Sequence, residues 1–210
     1  VFLASNKEIA MTRETIDLDA LDLPAVETRT LADPAAAYQP FAGDDDQPVP
    51  TFLPIGGGRI VRQTSSTHGP DGYITTDPDL IAASQKRLSA KIIADLDDFT
   101  YYELLGAPGA RTLVIAYGVT ARAARAAVAD LNRSGSPTAL LVLNTLWPVP
   151  VELLRARAEA FDRIVVIEMN LGQYVREIER ILAPRKITFY GQMNGELIKP
   201  ARIREAVTHG

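Results

Sequence analysis

Along the second half of the chain, apolar and polar residues fall into a repeating two-part pattern. "RTLVIAY" is followed by "TARAARAAVADLN", "TALLVLN" by "PVELLRARAEA", "DRIVVIE" by "LGQYVREIERIL", and "KITFY" by "KPARIREAV". The first member of each pair is a short apolar run, and the second carries apolar residues at helical spacing. Runs that are apolar throughout, with no alternation, belong to strands covered on both faces. The pattern therefore predicts an α/β domain over 100–210: a mostly parallel sheet with helices on each side, a three-layer α/β/α arrangement.

The first half reads differently. "GYITTDPDLIAASQKRLSAKIIADLDDF" (72–99) has Asp77 as N-cap, Pro78 at the first helical position, and Ile81, Leu88, Ile92 and Leu96 along one face, which predicts a long amphipathic helix. Residues 17–50 hold eight Asp/Glu against one Arg, together with five Pro. Such a stretch resists compact folding, so 17–99 is expected to be an acidic, Pro-rich linker followed by the helix. "IGGGRI" (55–60) is not followed by Lys-Ser/Thr or by a helix, and reads as a flexible turn, not a phosphate-binding loop. "VFLASNKEIAMTRETI" at the start reads as a short strand and then a helical turn, with Ser5 and Glu8 spaced as a capping box. The chain begins at Val1 without Met, and "VFLA" is too short for a signal-peptide core, so the expectation is the cut end of something longer.

Composition narrows the chemistry. A formal charge of −4 offers no basic face for a phosphate backbone, and no apolar run approaches the roughly 20 residues of a membrane span. Neither nucleic acid nor membrane is expected as a partner. With no Cys and only His68 and His209, the chain has no thiolate for a disulfide, a zinc site or an iron–sulfur cluster, and no histidine set for a metal. A reducing, cytoplasmic setting suits it.

In an open parallel sheet the loops leaving the carboxyl ends of the strands form the binding edge. "YGVT" (117–120) brings Tyr117, Gly118 and Thr120 there, with Thr120 read as an N-cap. "NTLWPVP" (144–150) brings Trp147, either a plug closing its loop or, if exposed, an interface residue. "GQMNGE" (191–196) brings Asn194. "EMNLGQ" (168–173) carries most of the candidates. Asn170 as N-cap and Gln173 three residues later form a capping pair. Glu168 is read as a structural acceptor for backbone N–H groups in preference to a general acid or base, because no His, Lys or second carboxylate lies beside it. Gly172 is placed in the first helical turn, where it costs about 1 kcal/mol relative to Ala and leaves backbone N–H groups open to a neighbour. That neighbour is read as a packed backbone of another chain or an anionic ligand, with packing favoured. No nucleophile–base pair, cofactor ligand or metal set can be assembled, and His68 in "TSSTHGPDGY" is read as a solvated loop residue.

Taken together, "THGPDGYITTDP", "VIAYGVTARAARAAV", "LNTLWPVP" and "VVIEMNLGQYVREIER" resemble the α subunit of the 2-oxoacid:ferredoxin oxidoreductases, most closely the 2-oxoglutarate synthase type. The resemblance implies that 1–16 is the tail of a preceding pyrimidine-type domain and that 100–210 is a transketolase-C-terminal-like domain supporting subunit assembly. It further implies an assembly that decarboxylates a 2-oxoacid on thiamine diphosphate and magnesium, passes electrons through an iron–sulfur cluster to ferredoxin, and releases an acyl-CoA from coenzyme A, or runs in reverse. The implied partners are a thiamine-diphosphate-binding β subunit and the rest of the α subunit. None of the family's cofactor ligands transfers to a residue of this chain. The same fold would serve another thiamine enzyme, such as a transketolase or a 2-oxoacid dehydrogenase β chain. A free-standing nucleotide-binding module would need a G-x-G-x-x-G that "YGVTAR" lacks.

Overall fold

The computed structural model describes residues 7–13, 15–23, 25–26, 28–43 and 48–210. The strand expected in "VFLA" and the Ser5 half of the capping box lie outside them. The chain divides into two units, Val1–Thr15 with Leu96–Gly210, and Ile16–Asp95.

The larger unit is built on a five-stranded sheet in the order β1-β3-β2-β4-β5. Its strands are β1 (Tyr102–Leu105), β2 (Thr112–Tyr117), β3 (Thr138–Leu143), β4 (Arg163–Glu168) and β5 (Ile187–Gly191). β2 pairs in parallel with both β3 and β4, and β4 in parallel with β5. Each is followed by a helix: α3 (Gly118–Arg133), α4 (Val151–Ala158), α5 (Val175–Leu182) and α6 (Pro200–His209), after the short α1 (Lys7–Met11) and the α2 (Pro78–Ala94) of the other unit.

Crossover handedness places the layers. β2 to β3 moves one way across the sheet, whereas β3 to β4 and β4 to β5 move the other way, so right-handed crossovers put α3 on one face and α4 and α5 on the opposite one. Two cores result. Ala121, Ala124, Val128 and Leu131 of α3 pack with Ile203 and Val207 of α6 against Val114, Leu140, Val165 and Ile167. On the other face Leu154 of α4 and Val175, Ile178 and Ile181 of α5 meet Leu113, Ile115, Leu141, Ile164 and Val166. All six residues of β3 are buried. This is the three-layer, mostly parallel α/β/α architecture that the continuous apolar runs require. The strand without a counterpart in the sequence pattern is β1, which pairs antiparallel with β3 at the edge and leaves Leu104 and Leu105 exposed. Four residues, "YELL", are too few to show a periodicity.

The unit Ile16–Asp95 is mostly irregular. A 3-10 turn spans Leu18–Ala20, and an isolated parallel bridge joins Leu31 to Phe52. Pro54 to Arg59 forms a turn that no helix follows, as expected of "IGGGRI". His68 and Ile74 face each other across a tight hairpin in which the Gly69 N–H donates to the Tyr73 carbonyl at 2.9 Å and Gly72 has φ +80°. α2 starts as the sequence predicts: Asp77 Oδ1 accepts from the N–H groups of Asp79 at 2.9 Å and Leu80 at 3.2 Å, with Pro78 at the first position. The helix is shorter than 72–99, and Leu96 begins a separate 3-10 turn, Leu96–Phe99. None of its residues is buried: Ile81 and Ile92 are half-buried and Leu88 is exposed.

The register gives a stability test. Leu141, fully buried, lies opposite Leu104, which is 38% exposed. Leu141→Ala should cost about 2–5 kcal/mol as a core cavity, and Leu104→Ala about 1 kcal/mol or less, in denaturant unfolding of the chain. Equal losses would show that β1 closes the sheet as tightly as an interior strand.

Candidate functional site

The strand order reverses between β2 and β4, and in open α/β sheets that reversal opens the crevice where ligands bind. Here the crevice is bordered by Tyr117, the last residue of β2, and Glu168, the last of β4. Glu168 has no solvent exposure. Its Oε1 accepts from the Val175 N–H at 2.6 Å, and its Oε2 from the Tyr174 N–H at 3.1 Å and the Tyr117 hydroxyl at 3.0 Å. Both oxygens serve as acceptors at the positive end of α5, so the carboxylate meets the amides that open the helix and offsets part of its own desolvation. The sequence reading of Glu168 as an acceptor for backbone N–H groups describes this geometry.

Asn170 extends the network. Its Nδ2 donates to the Tyr117 oxygen at 2.8 Å, and its Oδ1 accepts from the N–H groups of Gly172 at 2.7 Å and Gln173 at 3.1 Å. The rings of Tyr117 and Tyr174 meet edge to face at 5.6 Å. Burial raises the pKa of both phenols well above the ordinary value. The Glu168 charge adds to the rise at Tyr117, and the charges of Glu177 and then Glu168 add to it at Tyr174. Both rings are held as neutral phenols.

Four details differ from the sequence reading. Asn170 does not cap α5 as the first half of a reciprocal pair: the helix begins at Val175, and the Gln173 side chain is exposed. Its side chain closes a turn, and Glu168 caps the helix. Gly172 is not helical. It sits in that turn at φ +88°, where an added Cβ would meet Val175 Cγ1 at 3.1 Å and the Phe189 ring at 3.3 Å. Glycine is demanded there by backbone conformation and packing inside the unit. Thr120 is not an N-cap, since α3 starts at Gly118 with φ +56° and Thr120 lies buried inside its first turn. Trp147 is no plug, because its ring is 72% exposed while Pro148 is buried beside it.

The structure thus joins Tyr117, Glu168 and Asn170, with Gly172 and the Gln173 N–H in the same turn. It leaves Asn194 in an exposed turn, accepting from the Glu196 N–H at 3.1 Å. Two members of the site escaped the sequence. Tyr174 follows Gln173 in what reads as a helical run. Gly191 ends β5 so close to the Asn170 carbonyl that a Cβ would approach it to 2.6 Å, and a lone Gly gives no sign of that. In the other unit His68 stacks on Phe41 at 3.9 Å beside a cavity of about 400 Å³, its Nδ1 paired with the Gly69 carbonyl, so it is half-buried and not a solvated residue. No group of three His, Cys, Asp or Glu residues able to hold a metal occurs among the described residues.

Residues 110–203, from the loop before β2 into α6, match the family model of pyruvate:ferredoxin oxidoreductase core domain II. The chain's curated relatives are 2-oxoacid:ferredoxin oxidoreductase subunits. It is 31% identical over 172 residues to the 2-oxoglutarate synthase subunit KorA of Methanothermobacter thermautotrophicus, covering 81% of this chain and 46% of that protein. The ketoisovalerate oxidoreductase subunit VorB of the same organism is 30% identical over 106 residues, 50% of this chain and 30% of that one. The chain spans less than half the length of these curated relatives. A solved 2-oxoglutarate:ferredoxin oxidoreductase from Magnetococcus marinus, with 2-oxoglutarate, coenzyme A and succinyl-CoA bound, superposes with a TM-score of 0.77 at 22% identity, covering 87% of this chain and 32% of that one, which shows a common fold.

Two predictions follow from the packed crevice. Gly172→Ala should destabilise the chain by about 1–2 kcal/mol from the left-handed backbone alone, with the Val175 contact added, in chemical unfolding. An unchanged or raised stability would show that the turn relaxes to accept a side chain. The second concerns pH. The folded chain holds the two phenolic protons more tightly than the unfolded chain, so their contribution is intact below the ordinary tyrosine pKa of about 10 and is lost as pH rises past it. Unfolding measured between about pH 8 and 11 should show a steeper loss for the native chain than for the Tyr117→Phe/Tyr174→Phe variant. Equal slopes would place the alkaline transition elsewhere.

Proposed function

We propose that this chain is the C-terminal part of the α subunit of a thiamine-diphosphate-dependent 2-oxoglutarate:ferredoxin oxidoreductase, and that the unit containing the sheet acts in subunit assembly. The observation that carries this reading is the 31% identity with the 2-oxoglutarate synthase subunit KorA, which runs over 81% of the chain, whereas the ketoisovalerate relative covers 50%. The reaction would be oxidative decarboxylation of 2-oxoglutarate to succinyl-CoA with reduction of ferredoxin, or its reverse, in the cytoplasm.

The donor set fits a supporting role. An iron–sulfur cluster needs thiolates, and these 210 residues have no Cys, so a cluster would be ligated by residues outside them. Glu168, buried at the sheet edge, is already engaged by three donors. In this reading residues 1–16 are the tail of the preceding pyrimidine-type domain, 17–99 link it to the sheet unit, and the β subunit brings thiamine diphosphate. Helix-length apolar segments able to cross a membrane are absent from the described residues.

What this chain supplies is surface. Trp147 stands 72% exposed on the loop leaving β3, and an exposed Trp is a common anchor of protein interfaces. Trp147→Ala should leave the unfolding midpoint of the chain unchanged and weaken association of the complete α subunit with its β subunit by about tenfold or more. Reconstitution tests the reaction itself: complete α and β subunits together should reduce ferredoxin with 2-oxoglutarate and coenzyme A, and the 210-residue chain alone should not. Preference of the complex for pyruvate or a branched-chain 2-oxoacid would refute the substrate assignment, and turnover by the chain alone would refute the supporting role.

A further inference from the structure

Within the unit Ile16–Asp95, a cleft of about 400 Å³ lies between α2 and the hairpin that holds His68. Its size falls in the range of small-molecule sites. Leu80, Ala83, Ser84 and Arg87 line it from α2, and their spacing of three and four residues puts them on one helix face. Phe41 and His68 line it from the segments that precede the helix.

Phe41 connects the two polar ends of the cleft. Its ring lies against the half-buried His68 imidazole, with centroids 3.9 Å apart, and its carbonyl accepts from Arg87 Nη2 at 3.4 Å. Arg87 Nη1 donates to the Pro48 carbonyl at 2.9 Å. Both acceptors are neutral, and no carboxylate among the described residues pairs with this half-buried guanidinium, so it keeps its full charge and has N–H groups to spare. At His68, Nδ1 stands 3.0 Å from the Gly69 carbonyl, which can only accept. The neutral ring therefore carries its proton on Nδ1 and presents Nε2 as an acceptor, and no described residue donates to it.

A cation without a counter-charge and an acceptor without a donor thus border one cleft, both held by the same residue. We propose that this cleft binds a 2-hydroxycarboxylate with an apolar side chain. The carboxylate meets the Arg87 guanidinium, beside the Ser84 hydroxyl, and the hydroxyl donates to His68 Nε2. The side chain lies along Phe41, Leu80 and Ala83. A hydroxyl on the carbon next to the carboxylate suits two protein groups that are both seated on Phe41. A simple carboxylate lacks the donor that Nε2 calls for, and a hydroxy amide lacks the charge that answers Arg87.

The test is titration of 3-phenyllactate, 3-phenylpropionate and 3-phenyllactamide into the 210-residue chain labelled with ¹⁵N. Phenyllactate should give saturable shifts at the amides of His68, Gly69 and Ser84 and at His68 Nε2. Phenylpropionate, without the hydroxyl, and phenyllactamide, without the charge, should each bind more weakly by about fivefold or more. His68→Phe keeps a ring on Phe41 and removes the acceptor, so it should bring phenyllactate down to the level of phenylpropionate and leave phenylpropionate unchanged. Absence of saturable shifts in the native chain would overturn the proposal, as would equal binding of phenyllactate and either control. So would a His68→Phe variant that folds and binds phenyllactate as the native chain does.

Discussion

A carboxylate shut away from water at the end of a central strand sets most of the local structure of this molecule. Removing an ionised group from solvent costs several kcal/mol unless its oxygens are met by donors. Glu168 is met by three, from Tyr117 at the end of β2 and from the first amides of α5. Those contacts tie two adjacent strands and the following helix at one point. The path from β4 to α5 has to bring the Tyr174 and Val175 amides back onto a residue six and seven positions earlier, so the intervening turn is tight. Gly172 at φ +88° and Gly191 pressed against the Asn170 carbonyl are consequences of that tightness.

The same constraint decides what the sheet edge is able to do. The position that an anionic ligand would take at the start of α5 is held by the chain's own carboxylate, and the tyrosine flanking it is kept neutral by burial. The start of α3, at the end of the adjacent strand β2, is left without a side-chain cap and lines a cavity of about 240 Å³. One side of the strand-order reversal is a structural joint and the other is open.

The strands and their order of burial were legible in the sequence because burial on both faces writes itself as an uninterrupted apolar run, as in "TALLVL" and "RIVVIE". The start of α2 was legible because Asp-Pro before a helix has a local cause. Glu168 could be read as an acceptor from what was missing around it. Its partners could not, since Tyr117 is 51 residues away and meets it only through the pairing of β2 with β4. Gly172 was misplaced for a related reason: a glycine before a helical run looks the same whether it lies in the first turn or in a left-handed turn ahead of it. β1, four residues long and half exposed, had no pattern to show.

Hydrogen exchange on a Glu168→Ala variant tests the central claim most directly. If the carboxylate is the joint between β2, β4 and α5, the variant should remain folded with the amides of β2, β3 and β4 still protected. The Tyr174 and Val175 amides should exchange faster by about an order of magnitude or more, as expected for loss of charge-assisted hydrogen bonds worth about 1.5–3 kcal/mol. Unchanged protection of those two amides in a folded variant would contradict the account, because it would mean that the start of α5 is held by something other than Glu168.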